Sequence, residues 1–140
     1  MNFPFSHVTL GVNDVEAAKV FYDAVLGELG IVRRHTYPDS LGYGLPDDAS
    51  GRSQFWVMTP FNGEPANRGN GWHFAFEAKN RAIVDSFYKT ALKMGALSEG
   101  EPGLRPLYHD EYYSAYIRDP EGNKIQAVNH GNFGDTCVAQ

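Results

Sequence analysis

His7 and His73 stand 66 positions apart, and each opens a short run of alternating residues. An imidazole near neutral pH can bind a metal, carry a proton or hydrogen-bond a neighbour. Two imidazoles on one surface can do any of these together. The same shift of 66 carries His7-Val8-Thr9-Leu10 onto His73-Phe74-Ala75-Phe76, Phe21-Tyr22 onto Phe87-Tyr88 and Leu26 onto Leu92. The two histidines therefore occupy equivalent places in two copies of one unit. Further on, residues 100–110 form a turn-rich loop whose Arg105 and His109 suit an anionic or polar ligand group. Tyr112 and Tyr116 share one face of the next strand with Ser114 and offer hydroxyls to that side. The plain alternatives are interior polar residues bonded to each other, a surface loop and ordinary strand aromatics.

The elements that must position these residues follow from the repeat. Val8, Leu10 and Val12 alternate as one face of a strand, and Phe74, Phe76 and Ala78 do the same in the second copy. Asp14 and Asn80 follow as N-caps, because their side-chain oxygens can take an orphan amide of the first turn. Val15, Ala18, Phe21, Tyr22, Val25 and Leu26 then keep helical spacing, as Ala82, Val84, Phe87, Ala91, Leu92 and Met94 roughly do in the second copy. Gly27 and Gly95 are the expected terminators. Three strands follow in each half: Arg33–Tyr37, Ser40–Gly44 and Ser53–Thr59, then Ala96–Ser98, Tyr112–Arg118 and Lys124–Asn129. Asp119-Pro120-Glu121-Gly122-Asn123 reads as a tight hairpin turn.

Each half is β-α-β-β-β, so one helix covers one sheet face and the other face is left open. Alternation puts His7, His73, Gln126 and Trp56 on the open faces, and the two histidines are expected to converge across the joint. The 140 residues form one α+β domain, with module one over about 1–60, a linker over about 61–71, module two over about 72–130 and a tail over 131–140. Neither half is large enough to fold comfortably alone.

Composition narrows the function. Hydrophobic residues make up 42% of the chain and charged residues 21%, a folded balance. The net charge of −5 argues against nucleic acid as a partner, since its binders carry basic patches. No apolar run is long enough for a membrane span, and no secretory signal opens the chain. The single cysteine, Cys137, excludes an intrachain disulfide and multi-cysteine metal sites, and it points to the cytoplasm. It reads as an incidental thiol.

The stretches His7-Val8-Thr9-Leu10-Gly11-Val12-Asn13-Asp14, Phe21-Tyr22, Trp72-His73-Phe74-Ala75-Phe76 and Asp119 to Val128 resemble the vicinal oxygen chelate superfamily, which includes glyoxalase I, bleomycin-resistance proteins and extradiol dioxygenases. The resemblance covers nearly the whole chain. It implies paired β-α-β-β-β modules in an incomplete, U-shaped barrel, commonly in a homodimer. It further implies a divalent metal (iron, zinc, nickel or manganese) on His7, His73 and Gln126. Where metal-dependent relatives carry glutamates, this chain has Trp56 and Gln126. Both carboxylates are missing, which weakens the charge balance of such a site. Glu77, on the same face as His73, is a candidate substitute. Two functions stay open on this resemblance. One is a metal-dependent lyase, isomerase or dioxygenase acting on a small oxygenated substrate. The other is a metal-free small-molecule binder of the bleomycin-resistance type. In either, Trp56, Arg105, His109, Tyr112 and Tyr116 are the expected substrate contacts.

Overall fold

The repeat governs the architecture. A computed structural model describes residues 4–133, so Cys137 lies outside the described residues. In chain order the first half holds β1 (Val8–Gly11), α1 (Val15–Gly27), β2 (Val32–Tyr37), β3 (Ser40–Gly44) and β4 (Phe55–Met58). The second holds β5 (Phe74–Glu77), α2 (Arg81–Lys93), β6 (Leu97–Leu104), β7 (Tyr113–Arg118) and β8 (Lys124–Asn129). The strands form two four-stranded sheets ordered β1-β4-β3-β2 and β5-β8-β7-β6, with no closed barrel. In each sheet the first strand runs parallel to the last, and the remaining pairs are antiparallel.

Local chemistry starts both helices as expected. Asp14 accepts the Ala17 amide and Asn80 the Ile83 amide. The apolar stripe of α1 is buried at all six anticipated positions. In α2 the buried set is Val84, Phe87 and Ala91, while Ala82 and Leu92 turn outward and Ile83 packs in their stead. The second stripe is narrower because α2 covers its sheet along one i, i+3, i+7 row. Gly95 ends α2 at a φ of 101°, where a side chain would be strained. Gly27 is instead the last residue of α1, and Glu28 caps it.

The modules meet through their helix sides. Phe55 of β4 lies edge-on to Phe74 and Phe76 of β5, with ring centroids 5.5 and 5.1 Å apart. Helix α1 also packs on α2. Polar contacts lock this joint through the hairpin at residues 119–123. Tyr22 donates to Asp119 Oδ2 at 2.6 Å, and Asn123 Nδ2 donates to the Gly11 carbonyl at 3.1 Å. The Glu121 carboxylate accepts the amides of Asn13 and Asp14 ahead of α1. Burial pushes the Tyr22 hydroxyl well above its ordinary range, and the Asp119 carboxylate adds to the shift.

One boundary differs. The expected loop over 100–110 begins as strand, because β6 continues to Leu104. The glycines and proline there resemble a turn, yet two register shifts, before and after Gly100, let β6 stay paired with β7. No helix among the described residues is long and apolar enough to cross a membrane.

Candidate functional site

The open face of the second sheet carries the site. Helix α2 covers the side bearing Tyr113, whose hydroxyl donates to Asp85 of that helix at 2.7 Å. Alternation then turns Tyr112, Ser114 and Tyr116 to the open side. In register beside them, Gln126 of β8 pairs with Tyr116 of β7 and with Ala75 of β5. His73 precedes β5 on the same face. A cavity of about 510 Å³ opens here, lined by His73, Arg105, Tyr108, Tyr112, Tyr116, Lys124 and Gln126 among others.

Gln126 is the centre of this cavity and is only 1% exposed. Its Oε1 accepts from His73 Nε2 at 2.8 Å, and its Nε2 donates to the Tyr112 hydroxyl at 2.9 Å. With the amide in this orientation, the His73 proton sits on Nε2 and the Tyr112 oxygen is the acceptor. Tyr112 accepts from Gln126, so its own proton is free for a ligand oxygen or for Tyr116. Burial raises the Tyr112 pKa, Tyr116 adds to the shift and the Gln126 N–H opposes it. Tyr112 is therefore a neutral hydrogen-bond donor at neutral pH. Ser114 lies between the two tyrosines, fully buried, and its hydroxyl has no partner among the described residues.

Cations flank Tyr116. The Arg105 guanidinium lies 5.6 Å from its ring centroid and Lys124 Nζ 5.3 Å from it. The one acidic residue in the cavity lining, Glu99, is bound by Arg118 at 2.6 Å, which holds its carboxyl below the usual range.

Five of the eight expected contacts therefore come together: His73, Arg105, Tyr112, Tyr116 and Gln126. His109 stands just behind them. Its ring meets Tyr112 edge-on at 5.4 Å, its Nε2 lies 2.9 Å from His130 Nδ1 and it stacks on Phe133 at 3.9 Å. His7 and Trp56 lie on the other sheet. His7 is exposed and its Nδ1 lies 2.9 Å from Ser6 Oγ. Trp56 stacks between His35 at 5.5 Å and Tyr37 at 6.3 Å, and its flat seat on β3 needs Gly42. A Cβ there would stand 2.9 Å from the indole. His35 is half-buried and bonded to Ser53 at 2.7 Å.

His7 and His73 make no contact with each other within one chain: His7 bonds to Ser6 and His73 to Gln126. The modules join by their helix sides, through Phe55 with Phe74 and Phe76 and through α1 with α2. Nor do the cavity donors fit a divalent ion. His73 Nε2 is hydrogen-bonded to Gln126, both donors are neutral and the nearest free charges are cations. Among the described residues no group of three or more His, Cys, Asp or Glu side chains could hold a metal. Glu77 does not substitute. It lies four residues along β5 from His73, roughly 13 Å in an extended strand, and it borders a separate cavity with Leu29, Ile31 and Leu45.

Sequence reasoning missed Lys124 and Tyr108. Lys124 was legible, being two residues before Gln126 and so on the same face. Tyr108 was not, because its place depends on how the loop after β6 folds.

Comparison with known proteins agrees with this layout. The profile of the Glyoxalase/Bleomycin resistance protein/Dioxygenase superfamily matches residues 5–127. A glyoxalase/bleomycin resistance protein from Albidiferax ferrireducens T118 superposes with a TM-score of 0.79 at 40% identity, over 89% of this chain and 98% of that one. A lactoylglutathione lyase of Neisseria meningitidis is 29% identical over 95% of this chain and 94% of its own. The crystal structure of a lactoylglutathione lyase from Agrobacterium tumefaciens has a TM-score of 0.63 at 23% identity, over 96% and 98% of the two chains, a likeness of fold alone.

Proposed function

The chain belongs to the Glyoxalase/Bleomycin resistance protein/Dioxygenase superfamily, and from that premise we propose that it binds a small oxygenated molecule in the cavity of its second module without a resident metal. The observation that carries this reading is the chain of bonds from His73 through Gln126 to Tyr112. It bonds two of the three expected ligand side chains, His73 and Gln126, to each other. It also leaves the Tyr112 hydroxyl as a positioned donor in a cavity of ligand size. Tyr108, Tyr112 and Tyr116 supply flat apolar walls. The single cysteine agrees with a reducing, cytoplasmic setting.

The test is a thermal-shift screen of small oxygenated aromatics. It uses protein purified without a metal-affinity tag and dialysed against a chelator. Stabilisation that survives the chelator and is lost in His73→Ala supports the reading. Stabilisation that requires an added divalent ion overturns it.

A second reading rests on one observation. His7 and His73 hold equivalent positions on two open faces, both exposed. A homodimer that lays one module's open face against the other's would bring His7 of one copy toward His73 of its mate. That would assemble the His7, His73 and Gln126 set for a metal-dependent lyase, isomerase or dioxygenase. Light scattering with elemental analysis separates the two readings. A dimer holding about one equivalent of iron, zinc, nickel or manganese per chain, lost in His7→Ala, supports the second.

A further inference from the structure

We propose that Arg105 and Lys124, whose charged groups lie 5.6 and 5.3 Å from the Tyr116 ring centroid, form a clamp that takes the carboxylate of a small organic acid. This rests on the reading that the second-module cavity is a ligand site, and it names the class of ligand.

Three observations carry it. First, neither cation forms an ion pair among the described residues, although Lys124 lies near enough to Glu99 to help hold its carboxyl below the usual range. Arg105 bonds only to the carbonyls of Glu101 at 2.7 Å and Leu104 at 3.5 Å, and neither it nor Lys124 forms an ion pair among the described residues. Glu99, the acid in the same lining, is bonded to Arg118 at 2.6 Å and is influenced more weakly by Lys124. The chain carries a net charge of −5, so two unpaired cations in one cavity run against its overall charge.

Second, the strand is shaped around the guanidinium. A Cβ at Gly100 would stand 3.1 Å from Arg105 Nη2, and one at Gly103 would stand 3.2 Å from Nη1. The register shifts on both sides of Gly100 give β6 this form while it stays paired with β7. The stretch that looks like a loop in the sequence is a seat for one side chain.

Third, the rest of the cavity fits the body of such an acid. Leu104, Pro106 and Tyr108 give apolar wall, and the Tyr112 hydroxyl can meet an oxygen beyond the carboxylate. A carboxylate in a cavity that two cations line, with partial exclusion of water, is held more strongly than a neutral group of the same shape.

The experiment compares matched acids and carboxamides by calorimetry and thermal shift at low salt: benzoate with benzamide, 4-hydroxybenzoate with 4-hydroxybenzamide, and 2-naphthoate with 2-naphthamide. The expected result is a preference of about tenfold or more for the acid in at least one pair, falling as salt is added. Lys124→Gln, whose side chain makes no hydrogen bond among the described residues, and Arg105→Gln should each bring the acid-to-amide ratio toward one. Acids and amides binding equally would overturn the clamp and leave the cavity reading standing. Acids preferred equally by wild type and both variants would show a non-specific ionic effect and also overturn it. Binding of no member of any pair would overturn the cavity reading and the clamp together.

Discussion

Oε1 of Gln126 lies 2.8 Å from Nε2 of His73, while the other end of the same amide meets the Tyr112 hydroxyl at 2.9 Å. One buried side chain thus orients an exposed imidazole and a half-buried phenol 39 positions apart in the sequence. Gln126→Leu keeps the volume and removes both bonds. His73 at the rim can turn to water, but Tyr112 loses the donor that aims its proton. The expected outcome is at least a tenfold loss of ligand affinity with a fall in stability of about 1–2 kcal/mol. Calorimetry with the acid that binds the wild type best, beside thermal melting, checks both. Unchanged affinity would remove Gln126 from the site.

Gln126→Glu tests the charge argument directly. It supplies the carboxylate that the cavity lacks beside His73 and takes away the N–H that Tyr112 accepts. Uptake of zinc, nickel or manganese should rise over wild type. Organic-acid affinity should fall, because a fixed negative charge now faces the ligand's carboxylate. Elemental analysis after metal loading and gel filtration reads the first effect, and calorimetry reads the second. A variant that takes up no more metal than wild type would show that charge is not what keeps metal out.

How much of this was visible in the sequence depends on how local the cause was. Asp14 and Asn80 cap their helices through contacts three residues away, so residue type and spacing sufficed. Strand alternation was enough to put Gln126, Tyr112 and Tyr116 on one face. What lies beyond spacing is non-local. The repeat relates His7 to His73, but how the modules join decides where the two stand. Whether repeated modules join by open or covered faces is decided by Phe55 meeting Phe74 and Phe76, and spacing within a module carries no trace of that. The strand character of residues 100–104 was hidden for another reason. Glycines that serve a neighbouring guanidinium have the same letters as glycines that serve a turn.

Stability should be level from about pH 7 to 9 and decline from about pH 10 upward. Tyr22 is fully buried and donates to Asp119, and Tyr43 is fully buried and donates to Asp23 at 2.9 Å. Burial, with the adjoining carboxylate, raises both hydroxyls above their ordinary value. The unfolded chain releases these protons near pH 10 while the folded chain retains them. The folded state then binds more protons, and unfolding becomes easier as pH rises, by at most about 1.4 kcal/mol per pH unit for each group. Urea midpoints from pH 7 to 11 give the curve. Tyr22→Phe should lie below wild type at pH 7 by about 1–2 kcal/mol and decline less steeply above pH 10. Parallel curves would mean that Tyr22 ionises as freely in the fold as outside it.

The hairpin at 119–123 has a physical task that its turn geometry does not explain. A turn needs Gly122, at φ 92°, but not a carboxylate at 121. Glu121 instead reaches across the joint to the Asn13 amide at 2.7 Å, the Asp14 amide at 3.0 Å and the Asn13 side chain at 2.9 Å. These donors lie at the positive end of α1, where an anion is favoured by both the bonds and the helix dipole. Asn13 in turn accepts the Ala66 amide at 2.7 Å, so the linker is fastened through the same residue. Glu121→Ala should therefore cost about 1–2 kcal/mol. Glu121→Gln, which keeps one acceptor and loses the charge, should fall between it and wild type. Melting curves give the order, and amide hydrogen exchange gives the location. Asn13, Asp14 and Ala66 should lose protection in Glu121→Ala, while the Ala17 amide, capped by Asp14 inside module one, should lose less. Equal loss at all four would mean that Glu121 holds α1 together, not the joint between modules.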